Sequence, residues 1–219
     1  MKTYRSTPLP GLCALPPSSS SKFVHSSDGT TSNPDTITDV IWAGYVGQAS
    51  SSNRYVAASG EYDQPPRNFT YCDDAHVSSW VGIGGFRPRN NGSYGLIQAG
   101  TISPPSGSAY AFWEYTGVDS DGSPIGQQNA QRIQNLDVTR GDHIHDSVFY
   151  QTSNNQADFV VQNESNGQFQ SIIKTISQQF YDGRDADYVI ERSKSSPARH
   201  DFSRPAVSGG RLIFSTGGQ

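Results

Sequence analysis

Few residue groups in this chain could do chemistry, and most of them sit in segments that alternate polar and apolar positions. His143-Ile144-His145 puts two imidazoles on one side of an extended segment, with Asp142 and Asp146 beside them. That spacing suits a two-histidine metal pair on a strand. Ile144 would turn to the core, however, leaving both rings in solvent, so no metal is expected there. Gly82-Ile83-Gly84-Gly85 is a fragment of a nucleotide loop, but no helical pattern follows it, and strand-to-turn glycines are the expected reading. Neither Gly-x-Ser-x-Gly nor His-Glu-x-x-His occurs. Three polar side chains stand out instead. On extended backbone Gln98 shares a face with Tyr94 and Leu96, Glu114 with Tyr110 and Phe112, and Glu191 with Asp187 and Val189. Trp80 shares one with Gly82 and Gly84. A Gln or Glu among such neighbours is costly to desolvate unless it is partnered; half exposure at a strand end is the alternative. A carboxylate can take a proton from water and later return it to a leaving group, and a side-chain amide N–H can hold a developing oxyanion. Spacing does not pair Gln98 with Glu191, because 93 positions separate them.

The elements that must position these groups read as short strands. Apolar or aromatic stretches cover residues 40–46, 55–59, 79–83, 94–102, 109–115, 143–150, 157–162, 168–176, 188–192 and 211–214. Between them stand turn signals such as Gly60-Glu61, Pro65-Pro66, Asn91-Gly92, Pro104-Pro105, Asp121-Gly122, Asn166-Gly167 and Asp182-Gly183. Strands at this spacing predict an all-β antiparallel sandwich or barrel. The Gln/Asn-rich stretch 126–136 reads as one helical turn or a loop, and 193–199 as a linker. Residues 1–35, with Pro8, Pro10, Pro16, Pro17 and the serine run 18–21, read as a disordered tail before one domain at 36–219.

Composition narrows the function classes. The 219 residues are 33% hydrophobic and only 16% charged, so the polarity is carried by uncharged side chains, which excludes a coiled coil. Twenty-four aromatic residues (11 Tyr, 10 Phe, 3 Trp) supply area for a core and argue against wholesale disorder. Net charge is −4 without a basic cluster, so nucleic acid is not an expected partner, and no apolar run reaches the length of a membrane span. Cys13 and Cys72 allow one bridge or two independent thiols, and neither a disulfide framework nor a four-ligand zinc site. The N-terminus is a poor signal peptide. Asn68-Phe69-Thr70, Asn91-Gly92-Ser93 and Asn163-Glu164-Ser165 are glycosylation sequons, relevant only to an exported chain in a eukaryotic host.

Five segments in order carry a family likeness: Ile41-Trp42-Ala43-Gly44-Tyr45, Trp80-Val81-Gly82-Ile83-Gly84-Gly85, Leu96-Ile97-Gln98-Ala99-Gly100, Ala111-Phe112-Trp113-Glu114-Tyr115 and Ala186-Asp187-Tyr188-Val189-Ile190-Glu191. Together they resemble the glutamic peptidases, or eqolisins, whose pattern reads W-x-G-Y, W-V-G-I-D-G, L-I-Q-T-G, A-W-x-E and A-E-W-I-V-E. The resemblance covers residues 39–214. It implies a sandwich of two bent antiparallel sheets, similar to concanavalin-type lectins, with a peptide substrate across the concave face of one sheet. It also implies a catalytic dyad of Gln98 and Glu191, acid-acting endopeptidase activity without metal or cofactor, a monomer, and secretion. Trp42, Trp80, Tyr110 and Phe112 would line the cleft, and Glu114 would orient groups beside the dyad.

The chain departs from the pattern at Gly84, where the family usually has Asp, and at Tyr110, which resembles the bacterial branch rather than the fungal one. Only 28 residues follow Glu191, fewer than in the family, so the resemblance leaves open a fragment or a sandwich lacking its last strands. Two rival readings follow: a carbohydrate- or peptide-binding sandwich without activity, and an inactive truncated peptidase.

Overall fold

A computed structural model describes residues 35–38, 42–50, 53–64, 75–86, 92–104, 106–121, 123–126, 128–194 and 212–217, with backbone only for 35–38, 42, 43, 75, 128, 192–194 and 212–217. Residues 1–34 of the expected tail and the two cysteines lie outside these residues; Asp35 opens the first strand, and the linker read at 193–199 begins inside a strand that runs to Lys194, its remaining residues lying outside those described. Twelve strands follow in chain order: β1 (Asp35–Thr38), β2 (Trp42–Gln48), β3 (Arg54–Asp63), β4 (Ala75–Gly84), β5 (Tyr94–Ser103), β6 (Tyr110–Val118), β7 (Gln128–Asp137), β8 (His143–Gln151), β9 (Gln156–Asn163), β10 (Gln168–Thr175), β11 (Asp185–Lys194) and β12 (Leu212–Gly217). The one described helical element is a single 3-10 turn, Gln178–Phe180. They form two antiparallel sheets, ordered β1-β2-β11-β4-β5-β6-β7 and β10-β9-β8-β3-β12. The fold is the expected all-β sandwich.

Alternation decides which side chains meet between the sheets. On β5 the odd positions Ile97, Ala99 and Thr101 point inward, as do Val81 and Ile83 on β4 and Tyr188 on β11. They meet Tyr62, Ile144, Val148, Phe159 and Val161 of the second sheet. Trp113 packs on Phe159 at 5.4 Å between ring centres, and Tyr62 sets its ring edge-on to Tyr188 at 6.0 Å. Burial of this set is the main drive for sheet pairing.

Two sequence expectations change here. Gly60-Glu61 is not a turn: β3 runs through it. Gly60 faces the core, and a Cβ there would lie 2.8 Å from Val81 and 2.9 Å from the Tyr188 ring, so glycine serves close packing between sheets. The stretch 126–136 is neither a helical turn nor a loop but contains most of edge strand β7. Its pairing with β6 slips between Tyr110/Phe112 and Trp113/Tyr115, and Asn135 takes φ of 58°. The irregularity spaces its buried residues, Ile133 and Leu136, three apart, which hides the strand period.

Candidate active site

The even positions of β5 and β6 point to the other side of the seven-stranded sheet, away from the sandwich core. Register fixes which groups share that face. Gln98 pairs with Gly82 on one side and Glu114 on the other. Gly82 pairs with Asp187, and Glu191, four residues on, pairs with Ser78 and with Trp42. Trp80 pairs with Gly100 and Val189, and Phe112 with Gly100. The six described side chains of the expected site, Trp80, Gln98, Tyr110, Phe112, Glu114 and Glu191, therefore belong to one sheet face, and Trp42 pairs with Glu191 through its backbone. Gln98 and Glu191 stand on strands separated only by β4 but not in one row: Asp187 is level with Gln98, and Glu191 lies four residues, roughly 13 Å of backbone, further along β11.

A second apolar cluster forms the floor of this face. Val46, Trp80, Leu96, Phe112 and Val189 are buried in it, with half-buried Ile102 and Tyr110 against them. Trp80 and Phe112 are thus floor rather than open wall. The Trp42 side chain lies outside the described residues.

The polar groups are held by this floor and by each other. Gln98, only 5% exposed, donates from Nε2 to Glu114 Oε2 at 2.8 Å. Its Oε1 is buried with no partner among the described residues. Trp80 Nε1 donates to Glu191 Oε2 at 3.1 Å. Burial raises the Glu114 carboxyl above its ordinary range; the Gln98 hydrogen bond opposes this, and the charge of Glu191 adds to it. Two carboxylates and one amide thus sense one another on a partly desolvated surface.

Sequence reasoning missed two further features. Asp187 is fully buried, neither of its oxygens has a partner among the described residues, and burial, then Asp185, pushes it well above the carboxylate range. The available signal was its parity with Val189 and Glu191 on one strand face. Arg132 lies opposite Phe112 and sets its guanidinium over the Tyr110 ring at 5.1 Å. No signal marked it, because the Gln/Asn-rich sequence of β7 spaces its buried residues three apart and shows no strand period.

Gly84 has φ of +86°, and a Cβ there would sit 2.1 Å from the Gly95 carbonyl oxygen. An aspartate here would be strained and would force the Gly95 carbonyl to move. Asp182 Cβ lies 3.4 Å from that Cβ position, and Arg184 holds the Asp182 carboxylate through Nε at 2.6 Å and Nη2 at 2.9 Å.

The remaining candidate groups lie elsewhere. Ile144 is buried while His143 and His145 stand half-exposed on the outer face of the five-stranded sheet. His143 Nδ1 is 2.8 Å from Asp63 Oδ1, and His145 Nε2 is 2.6 Å from Ser59 Oγ. Among the described residues no three His, Cys, Asp or Glu side chains form a group that could hold a metal. Asn163 is fully buried and donates to Asp142 Oδ2 and the Asp137 carbonyl, so its sequon is closed in the folded chain.

Comparison with solved structures finds the same sandwich. Scytalido-glutamic peptidase with a transition state analogue inhibitor aligns at TM-score 0.52 and 18% identity, over 85% of this chain and 82% of that one. Scytalido-glutamic peptidase with a peptide-based transition state analogue aligns at 0.51 and 19%, over 84% and 76%. No curated protein matches the chain. The sequence matches the Peptidase A4 family over residues 40–209, and a match of that extent, spanning every motif described above, shows that the chain belongs to this family of glutamic peptidases.

Proposed function

We propose that the chain is an acid-acting endopeptidase, secreted and monomeric, whose dyad is Gln98 and Glu191. The observation that carries this reading is the sharing of one desolvated sheet face by Gln98, Glu114 and Glu191, with the amide bonded to one carboxylate and the other carboxylate within electrostatic reach. A water held near Gln98 Oε1 and Glu191 gives a proton to the Glu191 carboxylate as its oxygen attacks the scissile carbonyl carbon. Gln98 Nε2 carries two hydrogens; one is committed to Glu114, and the second holds the oxyanion. The protonated Glu191 then passes its proton to the amide nitrogen as the C–N bond breaks. The Trp80 indole fixes one Glu191 oxygen, which orients the base. Acid pH suits the arrangement because two neighbouring carboxyls there hold one proton between them more readily than none.

The test is cleavage of an unfolded protein at about pH 3–4, near the model carboxyl pKa. Wild type cleaves, insensitive to pepstatin and chelators. Glu191→Gln keeps the thermal melt and loses activity by roughly 10³-fold or more, as expected for removal of the only titrating member of the dyad. Wild-type rates in Glu191→Gln would overturn the assignment.

A further inference from the structure

We propose that Arg132 is a specificity-determining residue that takes a carboxylate of the peptide substrate at the β7 border of the site; this rests on the peptidase reading above. Three observations meet on this side chain. Register places it on the site face, opposite Phe112 and diagonal to Glu114. Its guanidinium lies 5.1 Å from the Tyr110 ring centre, so it reaches back over the sheet rather than out from its edge. It is nevertheless exposed, and it makes no ion pair among the described residues.

A guanidinium stacked on an aromatic ring has less rotamer freedom to lose and keeps its donor edge for a planar oxyanion. Its charge is permanent. The other described carboxyl and imidazole groups that register places on this face are Glu114, Asp185, Asp187 and Glu191, His76 on β4, and Asp137 opposite Tyr110 on β7, which accepts from Gln168 and makes no ion pair with Arg132. Carboxyls therefore crowd the middle of the face, and the β7 border carries one guanidinium. A substrate with a carboxylate over the middle would be repelled, and one with a carboxylate at the border would be held. Strands lie about 4.8 Å apart and an extended peptide advances about 3.3 Å per residue. Arg132, two strands from Gln98, then meets a group roughly three to four residues from the scissile bond.

The experiment uses peptide pairs that differ only by Glu or Gln at each position within about four residues of the cleaved bond, each also made with a free or amidated C-terminus. Cleavage is followed with wild type, Arg132→Gln and Arg132→Lys, and binding with Glu191→Gln alone and combined with Arg132→Gln. At one position, or at the terminus, wild type prefers the carboxylate by about 2–5-fold at pH 5.5, the range of an exposed ion pair. The preference falls to unity at pH 3, where the substrate carboxyl protonates, and in high salt. Arg132→Gln abolishes it and Arg132→Lys keeps it. The side-chain and terminal arms identify which carboxylate is read. Equal ratios in wild type and Arg132→Gln at every position, with peptides cleaved, overturn the inference and leave the peptidase reading standing. An Arg132-dependent binding preference without any cleavage does the reverse. Neither cleavage nor preference overturns both.

Discussion

At the scale of single residues, Gln98 and Glu191 show how a motif and a geometry divide the work. Parity along each strand was readable from the sequence, because Leu96 and Val189 announce the faces of their neighbours. The pairing of two groups 93 positions apart was not, because it depends on β4 lying between β5 and β11. Gly84 shows the opposite case. The sequence registers a lost aspartate, and only the backbone explains why one is disfavoured at this position. Gly84→Asp is expected to destabilise the chain by at least about 2 kcal/mol, from left-handed strain on a non-glycine residue plus the clash with the Gly95 carbonyl. For a chain of this size that is roughly 4–8 °C in melting temperature. It brings no gain in cleavage, because Asp182 and Arg184 already occupy that neighbourhood. A variant that melted at or above wild type while cleaving faster would show that the glycine is a defect.

At the scale of the elements, the strands that alternate cleanly were legible and those that do not were not. β9 buries every second residue, and its sequence shows that period directly. β7 does not, and Arg132 was lost with it. β3 was cut short because Gly60 resembles a turn when read alone. Its reason lies in the other sheet, where the Tyr188 ring and Val81 fill the space a side chain would need. Gly60→Ala therefore overpacks the core. Ala has slightly better strand entropy, but forcing two contacts below 3.0 Å apart outweighs that gain, and a loss of about 1–3 kcal/mol is expected. Chemical denaturation reads it as a lower midpoint at unchanged slope. A midpoint equal to wild type would mean that Tyr188 moves aside at no cost, and Tyr188→Phe would then be the place to look for the slack.

At the scale of the whole molecule, two carboxyls buried with no cation paired to them among the described residues tie stability to pH. Asp146 is fully buried between the sheets among Tyr62, Tyr188 and Thr101. Its Oδ2 lies 2.7 Å from Tyr62 Oη, while its Oδ1 and the Tyr188 hydroxyl have no partner among the described residues. Tyr62 Oη donates to Oδ2 and also lies 2.8 Å from Thr101 Oγ1, which donates to Gln64 Oε1, and Gln64 Nε2 donates to Ser103 Oγ. This one hydrogen bond from Tyr62 favours the ionised form but is outweighed by burial. Desolvation accordingly raises its pKa well above the ordinary value, as it does for Asp187 on the opposite face. Both groups keep their protons when folded at pH values where the unfolded chain has released them. Their effect is absent below the unfolded pKa near 4 and grows as a penalty until the folded pKa is reached. Each costs up to about 1.4 kcal/mol per pH unit over that interval. Thermal melts from pH 3 to 7 should therefore give the highest midpoint at the acid end. Asp146→Asn retains an acceptor for the Tyr62 hydroxyl and removes one titration, so its melting temperature should fall less steeply with pH and exceed wild type toward neutrality. Parallel pH profiles in the two proteins would show that Asp146 titrates at its ordinary value, and the acid preference of the fold would have to come from Asp187 alone.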